Sequence, residues 1–480
     1  MLRCLVALAL VASSLRAQHV GSETCARCHG EISARYAKTP MGRSMARADT
    51  ARVELPGTSG AYRVFEKDGA LYQAANGGNP WKLELVIGSG VNGQTFLIRR
   101  GAAFVEAPLT YYNRAGKWGL SPGYEQADAG FSRIAPEACL ACHSASPRVD
   151  PDDLAIGCES CHGPGGRHAA RPARANIVNP ARLDKRLSED ICMYCHQGGA
   201  TRIPQPGKHY EDFVPGQPLN RTLAIFRLPD AQDADLLEHH AAMRLSKCYR
   251  SSGGAMNCLT CHDPHGTVNY NQRCAECHGT LAHPPGGGAD CVACHMPKRS
   301  VTQVSHAALT SHRILAKPGE GLPAPDSSIY FNGDMAHLPA LTKLAAYGEL
   351  GMRKEYLEVL DTLAKTMPND PLVRASLGRR ALLEGRVAEA IEYLRDTSQA
   401  VSLLDLAQAL KLAGRQPESV PVLERAAALE PLDATVRKTL ILAYIEKKDY
   451  ISARTCMEKY VLDFPEDALM RNLLAKVSSR

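Results

Sequence analysis

Seven times along its 480 residues the chain places two cysteines three positions apart and follows the second at once with a histidine. The motifs are CARCH (Cys25, Cys28, His29), CLACH (Cys139, Cys142, His143), CESCH (Cys158, Cys161, His162), CMYCH (Cys192, Cys195, His196), CLTCH (Cys258, Cys261, His262), CAECH (Cys274, Cys277, His278) and CVACH (Cys291, Cys294, His295). Two thiols on one helical turn can form thioethers to the two vinyl groups of a single haem, and the adjoining imidazole then reaches its iron. Seven covalently attached haem c groups follow, each with its motif histidine as the proximal ligand.

Zinc ribbons, disulfides and thioredoxin-like redox pairs also use Cys-x-x-Cys, but none of them needs a histidine after each second cysteine. Histidine is 17 of 480 residues, so chance would put one there about once in 28 times, against seven in seven. Of the other cysteines, Cys4 lies in the leader, while Cys248 and Cys456 each read as a small buried thiol.

An electron carrier needs a second axial ligand on each iron, whereas a haem enzyme keeps one face open. Beyond the motifs stand ten histidines, enough for bis-histidine ligation throughout. The distal candidates are His168, His265 and His283, each in Gly/Pro-rich loop near a motif; His306 and His312, just past the last motif; and the adjacent pair His239 and His240. The first motif is followed by YAKTPMGRSMARA, which offers Met41 and Met45 but no histidine. Its iron is therefore His/Met ligated, which raises the reduction potential, or open, with both methionines packing against the porphyrin.

The elements that position these residues fall into distinct stretches. Residues 1–17 read as a signal peptide, with a positive start, a short apolar run and a cleavage site after Ala17. The mature chain then has no transmembrane segment and works in the periplasm or otherwise outside the cytoplasm. Residues 18–49 hold the first haem, and 50–135 form a β-rich insertion in which Asp68-Gly69 is a hairpin turn between apolar runs. Gly88, Gly90 and Gly93 match a dinucleotide fingerprint in spacing only, because a strand and not a helix follows them. Residues 136–315 carry six motifs in loop-rich sequence with few side chains for an ordinary core, as expected where porphyrins supply the apolar interior. Cys139 and Cys158, Cys258 and Cys274, and Cys274 and Cys291 are close in sequence and should bring their haems together.

A linker at 316–329 leads to residues 330–480, whose Ala/Leu-rich helical periodicity carries no motif. There Pro431 and Pro465 stand one tetratricopeptide period apart, and Gly378, Gly385, Ala390, Leu394, Leu406, Gly414, Leu423, Ala426, Leu440 and Met457 fall at the repeat's landmarks. The fold class is thus mixed: a haem-organised, loop-rich, mostly α multihaem cytochrome c domain with a small β-rich insertion, followed by an all-α tetratricopeptide-type repeat domain.

The segments VGSETCARCHGEISARYAKTPMGRSM, LSPGYEQ, GCESCHGPGGRH, MRLSKCYRSSGGAMNCLTCHDPHG, CVACHMPK and SHAALTSHRI occur in that order. Through them the chain resembles the multihaem cytochromes c related to the tetrahaem electron acceptor of hydroxylamine oxidoreductase, in the variety with C-terminal tetratricopeptide repeats. The resemblance implies that His168, His265 and His312 are distal ligands to haems attached at other motifs. The chain departs from the tetrahaem relatives in its seven motifs, its β insertion, and Met41 where they tend to place a histidine.

A net charge of only +6 gives no reason to expect a nucleic-acid partner. The expected function is electron transfer between redox protein partners, one of them docked by the repeats. The alternative is a multihaem oxidoreductase with one open-site haem, at Cys25/Cys28, acting on a small nitrogen oxyanion or hydroxylamine. All seven motifs end in His, so the Lys-ended catalytic motif of pentahaem nitrite reductases is not present.

Overall fold

The computed structural model describes residues 18–101, 103–124, 130–145, 153–196, 201–227, 239–279, 290–298, 310–317, 320–321, 328–464 and 467–478. Residues 1–17, His283, His306, Pro465 and most of residues 316–329 lie outside these residues, so the expected signal peptide falls there.

After the first motif the chain forms β1 (Met45–Arg47), β2 (Gly57–Ser59), β3 (Tyr62–Lys67), β4 (Ala70–Ala75), β5 (Trp81–Lys82), β6 (Leu85–Ile87), β7 (Gln94–Arg100), β8 (Ala103–Tyr112) and β9 (Lys117–Leu120). They make two antiparallel sheets, in the orders β1-β6-β7-β8-β9 and β2-β3-β4-β5. Asp68 and Gly69 turn β3 into β4 with φ of 52° and 72°, the left-handed pair that a tight hairpin requires. The turn at Gly88 and Gly90 leads into β7, a strand as expected, so no helix N-terminus forms there. Val64, Phe96, Ile98, Val105, Leu109 and Phe131 fill the space between the sheets, each contributing about 2 kcal/mol by leaving water. Gln73 stitches the sheets together, donating to the Leu109 carbonyl at 2.8 Å and accepting from its N–H at 2.9 Å.

The motif-bearing part is built differently. Its helices are short: Glu137–His143, Glu159–His162, Lys185–His196, Cys258–Cys261, Tyr270–His278 and Cys291–His295 each carry part or all of a motif. A hairpin of β10 (Thr201–Pro204) and β11 (Leu223–Phe226) supplies a small core with Leu219, Met193 and Tyr210. Among the described residues from Lys247 to Ile329, no apolar side chain is buried.

The C-terminal part consists of helical hairpins: Ala340–Glu349 with Arg353–Thr366, Pro371–Leu383 with Val387–Leu394, Ala400–Leu412 with Gln416–Leu429, and Ala434–Glu446 with Tyr450–Asp463, closed by Ala468–Ser478. Their inter-helix turns repeat one device. Gly351, Gly385, Gly414 and Lys448 are left-handed, at φ of 68°, 76°, 73° and 63°. Beyond each, the next N–H reaches back to a helix carbonyl, as in Met352 to Tyr347 and Arg386 to Ala381 at 2.9 and 2.8 Å. Gly351 to Gly385 and Gly414 to Lys448 are both steps of 34, the tetratricopeptide period. Gly385 to Gly414 is shorter because Val387–Leu394 has 8 residues where the other second helices have 14.

Two contacts tie the repeats to the rest of the chain. At their start, Phe226 stacks on Tyr330 at 5.3 Å and Thr342 donates to Gln205 at 2.7 Å. At their end, Arg100 of β7 donates to the Asp463 carbonyl at 3.1 Å and pairs with its carboxylate, which Arg437 also holds.

Candidate functional site

Each motif is shaped as a helical turn. In the first, third and fifth motifs the histidine N–H bonds the carbonyl of the first cysteine, at 2.9 Å for His29, 3.0 Å for His162 and 3.0 Å for His262. This puts the two thiols on one face with the imidazole beside them. Polar caps set where a turn begins: Asn257 accepts from Thr260 N–H before Cys258, and Asp290 from Val292 and Ala293 before Cys291.

Three motif histidines face a second histidine across a gap. His29 and His168 lie 6.3 Å apart between ring centroids with planes 16° from parallel. His162 and His265 lie 5.9 Å apart at 19°, and His262 and His312 6.0 Å apart at 23°. A metal–imidazole bond of about 2 Å plus the ring's half-width on each side puts two trans imidazoles about 6 Å apart between centroids. The three measured separations fall at that value, and the rings of each pair are close to parallel.

Backbone carbonyls fix the tautomer of several of these rings. A carbonyl only accepts, so Nδ1 must donate where it bonds one: His162 to Val178 at 2.8 Å, His168 to Ala173 at 3.1 Å, His312 to Thr310 at 3.0 Å and His295 to Leu315 at 2.5 Å. That leaves Nε2 with its lone pair, the form that ligates a metal. Burial also keeps rings neutral. Desolvation lowers the pKa of His162, His196 and His262, and takes His312 down to about 4. His239 falls to about 3, through burial and then the neighbouring His312 and His196.

The other distal candidates are placed as follows. His239 and His240 open the helix His239–Leu245. His239 meets His196 edge-on at 5.3 Å and His312 at 4.3 Å, so four histidines from separate segments converge. His240 turns away from them to Glu189, 3.2 Å from its carboxylate, with both side chains nearly buried. Met45 lies in β1 and packs with Leu85, Leu97 and Phe104; Met41 opens a short turn at Met41–Arg43.

The motif thiols themselves come together in pairs. Cys25 and Cys158, Cys142 and Cys195, Cys192 and Cys258, and Cys274 and Cys291 are near neighbours. Cys261 is close enough to Cys277, and Cys195 to Cys161, to feel its charge. All seven motifs thus form one connected series, in which the first joins the third, the third and second join the fourth, and the fourth leads through the fifth and sixth to the seventh. Sequence neighbours are not always partners: Cys274 meets Cys291 as expected, but the third motif meets the first rather than the second. At the second motif Arg202 lies against the sulfur, its guanidinium 3.4 Å from Cys142 Sγ.

One residue that sequence reasoning did not single out holds this series together. Glu159, between the two cysteines of CESCH, is 8% exposed. Its carboxylate accepts the N–H groups of Val20, Gly21 and Gly165 at 3.0, 2.9 and 2.6 Å, pinning the first motif's entry segment to the third motif. Ser22 adds a bond from Cys158 N–H at 3.2 Å. The motif spacing allows any residue at position 159, so only the fold reveals the task.

No family model matches the chain. It is 25% identical over 221 residues to the multihaem cytochrome MtrA of Shewanella baltica, a match covering 37% of this chain and 65% of that protein. The likeness is to a multihaem cytochrome. The chain spans just under two thirds of that curated relative. Among solved structures, the outer cell wall cytochrome OcwA is matched over 87% of this chain and 99% of its own, at 16% identity and a TM-score of 0.41. MamA is matched over 29% of this chain and 79% of its own, at 20% identity and a TM-score of 0.26. Among the described residues, no helix is long and apolar enough to cross a membrane.

Proposed function

We propose that this chain is an exported heptahaem c-type cytochrome that carries electrons between protein partners outside the cytoplasm. The observation that carries the reading is the set of parallel histidine pairs, His29 with His168, His162 with His265 and His262 with His312, each spaced for a metal held between two imidazoles. Haem held between these histidine pairs would supply one-electron chemistry. His168, and neither Met41 nor Met45, is then the second ligand at the first motif, and His239 serves the fourth.

The chain's own contribution is placement. The carbonyls of Val178, Ala173 and Thr310 orient the ligating rings, and the linked thiols keep successive attachment points in contact, so an electron never crosses a wide insulating gap. Cys195 is half-buried, whereas Cys28, Cys277 and Cys294 are exposed. The first motif and the last two are therefore the ports where partners exchange electrons, and the fourth is the junction. Leu383, Ile451 and Leu462 stand exposed on the helical repeats, which suits them to dock one such partner.

The enzymatic alternative needs an open iron, and its best site was the first motif. The ring of His168 facing His29 favours the carrier reading over that alternative. The test is the low-temperature electron paramagnetic resonance spectrum of the oxidised, exported protein, with haem counted by mass. Seven haems, all low-spin, are expected. A high-spin signal amounting to one iron per chain would overturn the carrier reading and make that haem the reaction site.

A further inference from the structure

The sixth motif is faced by sulfur instead of nitrogen. His278 ends the helix Tyr270–His278, and its Nε2, the atom a motif histidine presents to metal, lies 4.0 Å from the Cys248 Sγ. Metal bonds of about 2.0 Å to imidazole and about 2.3 Å to thiolate put trans nitrogen and sulfur about 4 Å apart. The contact is a hydrogen bond in this structure, and it has the span that one metal between the two atoms would need.

Cys248 is held there by its own segment. It sits in the helix Lys247–Ser251, whose first turn is capped by Ser246 accepting from Tyr249 N–H at 3.1 Å. Tyr249 is in turn fixed under the Lys185 ammonium, 4.0 Å from its ring. The thiol is half-buried and lies between two attachment motifs, close to Cys277 of the sixth and Cys261 of the fifth. Two ligand-type side chains from separate segments thus oppose each other beside an attachment site, which distinguishes Cys248 from Cys456 in the repeats.

We propose that Cys248 is the distal ligand of the haem attached at Cys274 and Cys277, giving that iron histidine/thiolate ligation. On binding, the thiol releases its proton to solvent as sulfur joins ferric iron, and no electron moves. A thiolate stabilises the ferric state, so this haem has the lowest potential in its neighbourhood. Placed between the fifth and seventh motifs, it is an uphill step that controls how readily electrons pass to or from the last haem.

The proposal rests on haem attachment at the sixth motif, so the experiment separates the two. Oxidised exported protein is digested, and the peptide containing Cys274 and Cys277 is weighed. Paramagnetic resonance and near-infrared absorption are recorded on the intact wild type and on Cys248→Ala, Cys248→Ser and His283→Ala. Expected are haem on the peptide, a thiolate-type low-spin signal equal to one iron per chain in wild type and His283→Ala, and its complete loss in both Cys248 variants with the remaining signals unchanged. Haem on the peptide without a thiolate signal in wild type overturns the ligand assignment alone, as does a signal that survives in Cys248→Ala. A peptide without haem overturns both readings. Should the Cys248 variants lose haem or fail to fold, the wild-type spectrum still decides.

Discussion

The imidazoles of His29 and His168, drawn from opposite ends of the segment that holds the β region, lie 6.3 Å apart and 16° from parallel. His168 Nδ1 is committed to the Ala173 carbonyl, so the nitrogen left with a lone pair is Nε2. The first motif is thereby matched to a partner that its own flanking sequence does not contain.

Replacing His168 tests that match directly. In His168→Ala one low-spin signal should convert to high-spin, and the new site should bind a small ligand such as cyanide. In His168→Met the iron should stay low-spin while its potential rises, because a thioether stabilises the ferrous state more than imidazole does. Spectroelectrochemistry with paramagnetic resonance checks both, and unchanged spectra in His168→Ala would refute the pairing.

Glu159 makes a separate, mechanical prediction. Its carboxylate holds three backbone N–H groups across the first and third motifs. Glu159→Ala should cost about 3 kcal/mol, since buried donors are left without a charged acceptor. The readout is the denaturation midpoint of the holoprotein, and haem content at Cys25/Cys28 should fall with it.

The clasp between Arg100 and Asp463 fixes the last repeat against the β region. The Arg100 side chain is 5% exposed, so Asp463→Ala leaves a buried guanidinium without its carboxylate, with only carbonyl partners, and should cost about 2 kcal/mol. Protease should then cut between the two regions at a faster rate than in wild type, with haem spectra unaltered.

Lys448 occupies the left-handed turn position that Gly351, Gly385 and Gly414 take in the other hairpins. A side chain there strains the backbone by about 1 kcal/mol, so Lys448→Gly should stabilise the repeats by about that amount. Gly378→Ala should do the opposite by about 2 kcal/mol, because a Cβ there would meet the Leu394 Cγ at 2.4 Å. Calorimetry of the two variants should shift in opposite directions.

Acid should loosen the closing helix. Burial raises the pKa of Asp467, but Lys438 at 2.7 Å, Met470 N–H and Tyr460 together outweigh it and hold the carboxyl below its ordinary value. A carboxyl with a depressed folded pKa contributes stability that is complete above the unfolded value, about 4, and is lost as pH falls through the folded one. The repeats should therefore weaken below about pH 4, and Asp467→Asn should flatten that acid limb in circular dichroism.

The motifs were legible in the sequence because each is local: Cys-x-x-Cys-His is complete within one helical turn, and no fold is needed to bring its parts together. The hairpin at Asp68-Gly69, the strand after Gly93 and the helical repeats were legible for the same reason, since turns and periodicity are short-range properties. The repeat register needed correction only where Val387–Leu394 is short.

Ligand pairing was not legible, because an axial partner needs only to reach the iron from any segment that the fold brings near. His168, His265 and His312 were visible as candidates, but which motif each faces emerged only from the tertiary structure. Met41 and Met45 looked suitable because they follow the first motif closely, yet strand pairing draws Met45 into the β core. The joining of the first motif to the third, the task of Glu159 and the placing of Cys248 opposite His278 likewise depend on contacts between distant segments. The sequence alone determined the number and spacing of the Cys-x-x-Cys-His motifs; the tertiary structure decided which motifs and which histidines lie together, because spatial neighbours are set by global packing and not by spacing along the chain.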